Sequence, residues 1–134
     1  MSKLEQGACL CGAVKFEGVR SGHGIGVCHC KMCRIWASGP YFALRFEGGV
    51  RITEKRGLKW FASSDIGRRG FCSECGSSLF WAATDAVEGD YAVSAGTIED
   101  RSDEKIKEHI FVDMQPEYYG FSDNAPRLTS EGSS

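Results

Sequence analysis

The sequence lacks any long apolar run. Stretches such as Ile110-Phe111-Val112 are only a few residues long, against the roughly 20 that a helix needs to cross a bilayer. The opening Met1-Ser2-Lys3-Leu4-Glu5-Gln6 has no apolar leader core. Charge of one sign gathers nowhere: 16 Lys and Arg are scattered among 18 Asp and Glu, for a net charge of -2. That removes the electrostatic footprint of a nucleic-acid or anionic-lipid binder. These absences predict a cytoplasmic protein with neither nucleic acid nor membrane among its partners. Proline is scarce, at 3 residues, and no internal repeat, low-complexity tract or interior linker breaks the chain. Collagen-like and wholesale disordered architectures are therefore excluded. At 134 residues the chain has the size of one domain. We expect it to fill 1–128, with 129–134 (Thr129-Ser130-Glu131-Gly132-Ser133-Ser134) as a polar tail.

What is present is alternation with a period of two, punctuated by 17 glycines, the pattern of short strands. Phe42, Leu44 and Phe46 fall on one strand face; so do Leu58, Trp60 and Ala62, then Leu79 and Trp81, then Tyr91, Val93 and Ala95. Glu47-Gly48-Gly49 supplies the positive φ of a tight hairpin, with Val50-Arg51-Ile52 returning. Helical signal is thin. Cys30 to Trp36 predicts one or two turns, Pro116-Glu117-Tyr118-Tyr119 a further one opened by proline, and Asp103 to His109 a helix or loop. The expected fold is mainly β, with short helical turns and metal clusters at its loops.

Seven cysteines form three groups: Cys9-x-Cys11-Gly12, Cys28-His29-Cys30-x-x-Cys33, and Cys72-x-x-Cys75-Gly76. In a reducing compartment, clusters of this kind point to metal rather than to disulfides. Tetrahedral zinc with Zn–S bonds of about 2.3 Å needs sulfurs roughly 3.8 Å apart. A Cys-x-x-Cys turn followed by glycine brings two thiols together, and an extended Cys-x-Cys puts both on one face. Two such half-sites make a closed four-thiolate site and leave Cys28, Cys30 and Cys33 for a second ion with an open fourth position. From spacing alone, pairing either half-site with the middle cluster is equally allowed, and thiolates by themselves do not exclude an iron–sulfur cluster.

The runs from Gly7 to Glu17, Cys28-His29-Cys30-x-x-Cys33-Arg34, and Arg69-Gly70-Phe71-Cys72-x-x-Cys75-Gly76-Ser77-x-Leu79-Phe80 resemble the glutathione-dependent formaldehyde-activating enzyme family. His109-Ile110-Phe111-Val112 and Pro116-Glu117-Tyr118-Tyr119 resemble its closing segment. The resemblance implies a β-tent fold of short antiparallel strands, of the kind found in centromere protein V-type zinc domains. It also implies two zinc ions per chain. Cys9, Cys11, Cys72 and Cys75 match the family's structural zinc ligands, and Cys28, Cys30 and Cys33 match its catalytic ones. The implied activity is that of a carbon–sulfur lyase, like S-(hydroxymethyl)glutathione synthase, with glutathione as co-substrate and a small thiol or thiol–aldehyde adduct as partner. After Cys33 the chain departs from the formaldehyde-type pattern, reading Arg34-Ile35-Trp36-Ala37-Ser38-Gly39-Pro40-Tyr41, which leaves the thiol's identity open.

No histidine is assigned a catalytic role, so the catalytic set is unknown beyond the metal ligands. Alternation turns His29 away from the metal, His109 reads as a strand-end histidine and His23 as a loop residue. Arg34 and Trp36 are equally read as substrate contacts or as a solvated arginine beside a packed tryptophan. Arg68-Arg69 and Lys55-Arg56 read as exposed basic pairs, and Trp60, Phe61, Phe71, Phe80 and Trp81 as core. The alternative function is a zinc-stabilised binding module for a protein partner, favoured should a side chain close the three-cysteine site.

Overall fold

The structure is a computed structural model describing residues 4–98 and 104–132. Its elements are β1 (Leu4–Ala8), β2 (Lys15–Arg20), β3 (Ile25–Cys28), α1 (Lys31–Ala37), β4 (Tyr41–Leu44), β5 (Phe46–Glu54), β6 (Leu58–Phe61), β7 (Gly67–Cys72), β8 (Ser78–Ala83), β9 (Ala92–Ser94) and β10 (Ile106–Ile110). Single 3-10 turns occupy Ala95–Thr97 and Val112–Met114. The chain is mainly β, as expected. One sheet has the order β1-β2-β5 and the other β10-β3-β4-β9-β8-β7-β6. Pairing between these strands is antiparallel except where β10 joins β3 in parallel, and an isolated parallel bridge links His109 to Arg127. No helix among the described residues is long and apolar enough to cross a membrane.

Phe16 of β2 and Leu79, Phe80 and Val93 of β8 and β9 anchor the core, all essentially without solvent contact. Phe16 meets Phe80 edge-on with ring centroids 5.0 Å apart. Each such burial contributes roughly 1.5–3 kcal/mol. Successive residues Leu79 and Phe80 are both buried, so β8 is covered on both faces, and this is why its alternation is blurred.

Several expectations differ from what the chain adopts. Gly48 and Gly49 do take positive φ, +77° and +92°, but no hairpin forms, because β5 runs straight through them. Across from β5, Glu17 faces Arg51 while Val19 faces Glu47, so the glycines supply the extra residues of a bulge. Both edges of β4 are already occupied by β3 and β9. The returning strand therefore cannot pair with β4 and joins the other sheet. The predicted shared face is only partly kept: Leu44 and Phe46 are buried, while Phe42 is 37% exposed and its ring meets Phe121. Ala62 and Phe61 lie at the open end of β6, exposed.

Pro116 opens no helix. Glu117-Tyr118 is only a turn, and the Gln115 side-chain amide donates to the Tyr119 carbonyl at 2.9 Å, holding the segment non-helical. From Ile106 to Ile110 the chain is a strand rather than a helix or loop, because β3 offers it a free edge. Asp103 lies outside the described residues, as do Ser133 and Ser134. Within the polar tail, Ser130 donates from its N–H and hydroxyl to the Asp113 carboxylate at 2.8 and 2.6 Å.

Candidate metal centres

Cys9 and Cys11 sit in the tight turn joining β1 to β2 rather than in an extended strand. Gly12 N–H donates to the Cys9 carbonyl at 3.3 Å, and Cys9 N–H to Val14 at 3.1 Å. Opposite, Cys72 ends β7 and Cys75 closes its turn, Gly76 N–H donating to the Cys72 carbonyl at 2.8 Å. Gly12 and Gly76 leave the two turns with φ of +83° and +81°, a region costly for other residues. The four sulfurs converge within 4.8 Å of one another. Cys11 Sγ lies 3.7 Å from both Cys9 Sγ and Cys72 Sγ, close to the spacing four thiolates adopt around zinc. Backbone N–H groups of Val14 and Cys75 point at Cys9 and Cys72 sulfurs, 3.3 and 3.5 Å away, which favours thiolates.

Charge is shared unevenly among these four thiols. At Cys11 the Ala13 N–H favours ionisation, yet burial and the other three cysteines outweigh it and push the thiol up to about 12. Hydrogen bonds from the Ser77 hydroxyl and N–H pull Cys75 down to about 5. The loop before β6 packs directly on the cluster: a Cβ on Gly57 would lie 2.8 Å from Cys72 Sγ and 2.9 Å from Ala13 Cβ. Only glycine fits there.

The second group is local. Cys28 ends β3, Cys30 caps α1 and receives the Cys33 N–H at 3.4 Å, and Cys33 is buried in the first turn of α1. Their three sulfurs also lie within 4.8 Å of one another. Contact with Cys28 and Cys33 draws Cys30 down to about 2, and contact with Cys30 and Cys33, with burial, pushes Cys28 far up. Cys33 is lowered by Cys28 but ends raised, because Cys30 and burial outweigh that contact. Three thiols crowd around one negative charge, and a cation is what would let all three ionise. The donor chemistry and spacing of both groups fit zinc.

Around the trio the structure shows what spacing could not. His29 is fully buried and turned away from the three sulfurs, its Nδ1 2.9 Å from Tyr119 Oη and its Nε2 2.9 Å from His109 Nδ1. His109 Nε2 lies 3.0 Å from Asp123. The carboxylate only accepts, so His109 Nε2–H donates to Asp123, His29 Nε2–H to His109, and Tyr119 O–H to His29. Burial pushes the Tyr119 phenol up, opposed by the Arg34 charge and helped by Tyr118 and Cys28. Tyr119 thus hydrogen-bonds the residue that lies between Cys28 and Cys30. His23 is an exposed loop residue, as expected.

Arg34 Nε donates to the His29 carbonyl at 3.2 Å, and Trp36 packs on Tyr41 with ring centroids 5.2 Å apart. Lys55 and Arg56 are exposed, but the expectation for Arg69 fails: it is 4% exposed, because Cys33 and Trp36 of α1 meet its guanidinium. Its Nη1 donates to Cys33 Sγ at 3.7 Å.

A family model described as glutathione-dependent formaldehyde-activating enzyme matches residues 4–114. The chain belongs to this family. An uncharacterized lyase of Schizosaccharomyces pombe is 27% identical over 124 residues, covering 92% of this chain and 90% of that protein. A protein of Halomonas elongata, provisionally named glutathione-dependent formaldehyde-activating enzyme, is 31% identical over 86 residues, 58% of this chain and 55% of its own length. The glutathione-dependent formaldehyde-activating enzyme match contains all seven cysteines, His29, Arg69 and His109. Tyr119 and Asp123 lie beyond it, so only the folded geometry brings them to the site.

Proposed function

We propose that this chain is a zinc-dependent carbon–sulfur lyase acting on the adduct of a small, glutathione-like thiol and an aldehyde. In this reading Cys9, Cys11, Cys72 and Cys75 hold a structural zinc, and Cys28, Cys30 and Cys33 a catalytic one. The observation that carries it is the incompleteness of the trio. Among the described residues no fourth His, Cys, Asp or Glu atom joins those three sulfurs, and His29 engages Tyr119 and His109 instead. A binding module with both sites closed would need such a ligand. When bound there, zinc supplies the positive charge that stabilises the substrate's sulfur as a thiolate leaving group.

The chain's own residues supply the proton path. In the lyase direction the adduct's hydroxyl loses its proton, the carbon–oxygen double bond forms, and the carbon–sulfur bond breaks with its electron pair going to sulfur. We assign that proton to Tyr119 Oη, which passes its own to His29 Nδ1; the Nε2 protons of His29 and His109 shift toward Asp123. Exchange between free formaldehyde and its glutathione adduct, read by NMR, tests the proposal. The wild type accelerates exchange, Cys30→Ser abolishes it, and Tyr119→Phe lowers it by on the order of a hundredfold with metal retained. An uncatalysed rate with glutathione and with other small thiols would overturn the assignment.

A further inference from the structure

An arginine taken out of water needs an anionic partner. Arg69 is 4% exposed and sits in β7 between Phe61 and Trp81 of the neighbouring strands. Its guanidinium lies 5.0 Å over the Trp36 ring. Among the described residues it forms no ion pair with a carboxylate. Its Nε is the one buried side-chain nitrogen or oxygen there without a hydrogen-bond partner. The group it does touch is sulfur: Nη1 donates to Cys33 Sγ at 3.7 Å.

We infer that Arg69 is the charge partner of the three-cysteine centre, a positioning residue that governs how readily the centre accepts a substrate thiolate. The inference rests on the trio being the metal centre proposed above. Three thiolates leave a divalent ion with one surplus negative charge. The fixed positive charge of Arg69 cancels that surplus. A thiol that enters as thiolate, its proton going to the buffer, then takes the assembly to one negative charge instead of two. Electrostatics act strongly here because the pair is buried. Stacking on Trp36 suits arginine: a planar guanidinium lies flat on a ring face while keeping one edge toward sulfur, whereas an ammonium carries the same charge without that planar fork. The four-cysteine group needs no such partner, since Cys11 is exposed to water and backbone N–H groups serve Cys9 and Cys72.

The test uses cobalt(II)-loaded full-length wild type, Arg69→Gln, Arg69→Met and Arg69→Lys. Metal per chain is counted, and the cobalt absorption bands are titrated with glutathione and with uncharged 2-mercaptoethanol. We expect two metals in each protein. Mercaptoethanol affinity should fall on the order of tenfold or more in Gln and Met, with Lys restoring most of it. Loss of cobalt from the trio alone in both neutral variants, restored by Lys, would support the same charge role at the metal-binding step. Wild-type mercaptoethanol affinity in the neutral variants would overturn the inference. So would a loss confined to glutathione, which would make Arg69 a carboxylate contact. A wild type indifferent to both thiols would instead overturn the proposed function, and the inference with it.

Discussion

Cys72→Ser should cost more stability than Cys30→Ser, although both remove one thiolate from one metal group. Cys72 is completely buried and its sulfur lies 3.7 Å from Cys11 Sγ across 61 residues of chain. A cation joining them closes that long loop in the unfolded chain, which stabilises the fold by on the order of 4 kcal/mol. The trio closes only the stretch from Cys28 to Cys33, and the logarithmic dependence on loop length makes its contribution about 2 kcal/mol smaller. Against a total stability of roughly 5–15 kcal/mol the difference is readily measured. It corresponds to roughly 8 °C in melting temperature for a chain of this size. Circular-dichroism melts of zinc-loaded wild type and both variants, repeated after chelation, read it directly. Equal shifts in the two variants, or a wild type whose melt ignores the chelator, would refute the reasoning.

Other consequences are separately testable. Burial pushes the Asp123 carboxyl up, but the His109 hydrogen bond, the Ala125 N–H and the Arg127 charge more than offset this and hold it below its ordinary value. Its contribution is therefore complete above roughly pH 4 and is lost as pH falls through the lowered value. Urea midpoints between about pH 4.5 and 2.5 should decline less steeply in Asp123→Asn than in wild type, and parallel profiles would count against the network. Gly57→Ala should destabilise by about 1–3 kcal/mol and lower zinc content, since its new methyl meets Cys72 Sγ and Ala13. Unchanged zinc and stability would show that the loop yields. Phe80→Ala should cost about 3–5 kcal/mol in chemical denaturation, because the ring packs against Phe16, Trp60 and Tyr91 at centroid distances of 5.0, 6.1 and 5.3 Å. A loss under 1 kcal/mol would place the core elsewhere.

What could be read in the sequence was what is decided locally. The helical turns after Cys30 are legible because the capping cysteine and the residues it caps are neighbours. Tyr91, Val93 and Ala95 are legible because one face of β9 meets the core. Gly48 and Gly49 were legible as positive-φ residues but not as a bulge, since that depends on which edges of β4 are taken. Arg69 beside Arg68 looks like a solvated pair until Cys33 and Trp36 are folded onto its guanidinium. Tyr119 stands 90 residues from His29, and His109 stands 80, so no spacing rule joins them. The cysteine groups themselves were visible because their repeated short spacings are rare outside metal sites, whereas their division into four and three follows from the turns that β1–β2 and β7–β8 place face to face.

The central claim is that the trio presents three sulfurs and an open corner to an incoming thiol. Zinc-edge X-ray absorption on protein holding two zinc per chain measures this most directly. The account predicts about 3.5 sulfur ligands per zinc on average without thiol, rising to about 4 with glutathione as a lighter ligand is displaced. Four sulfurs per zinc at the outset, or an average that glutathione leaves unchanged, would contradict it.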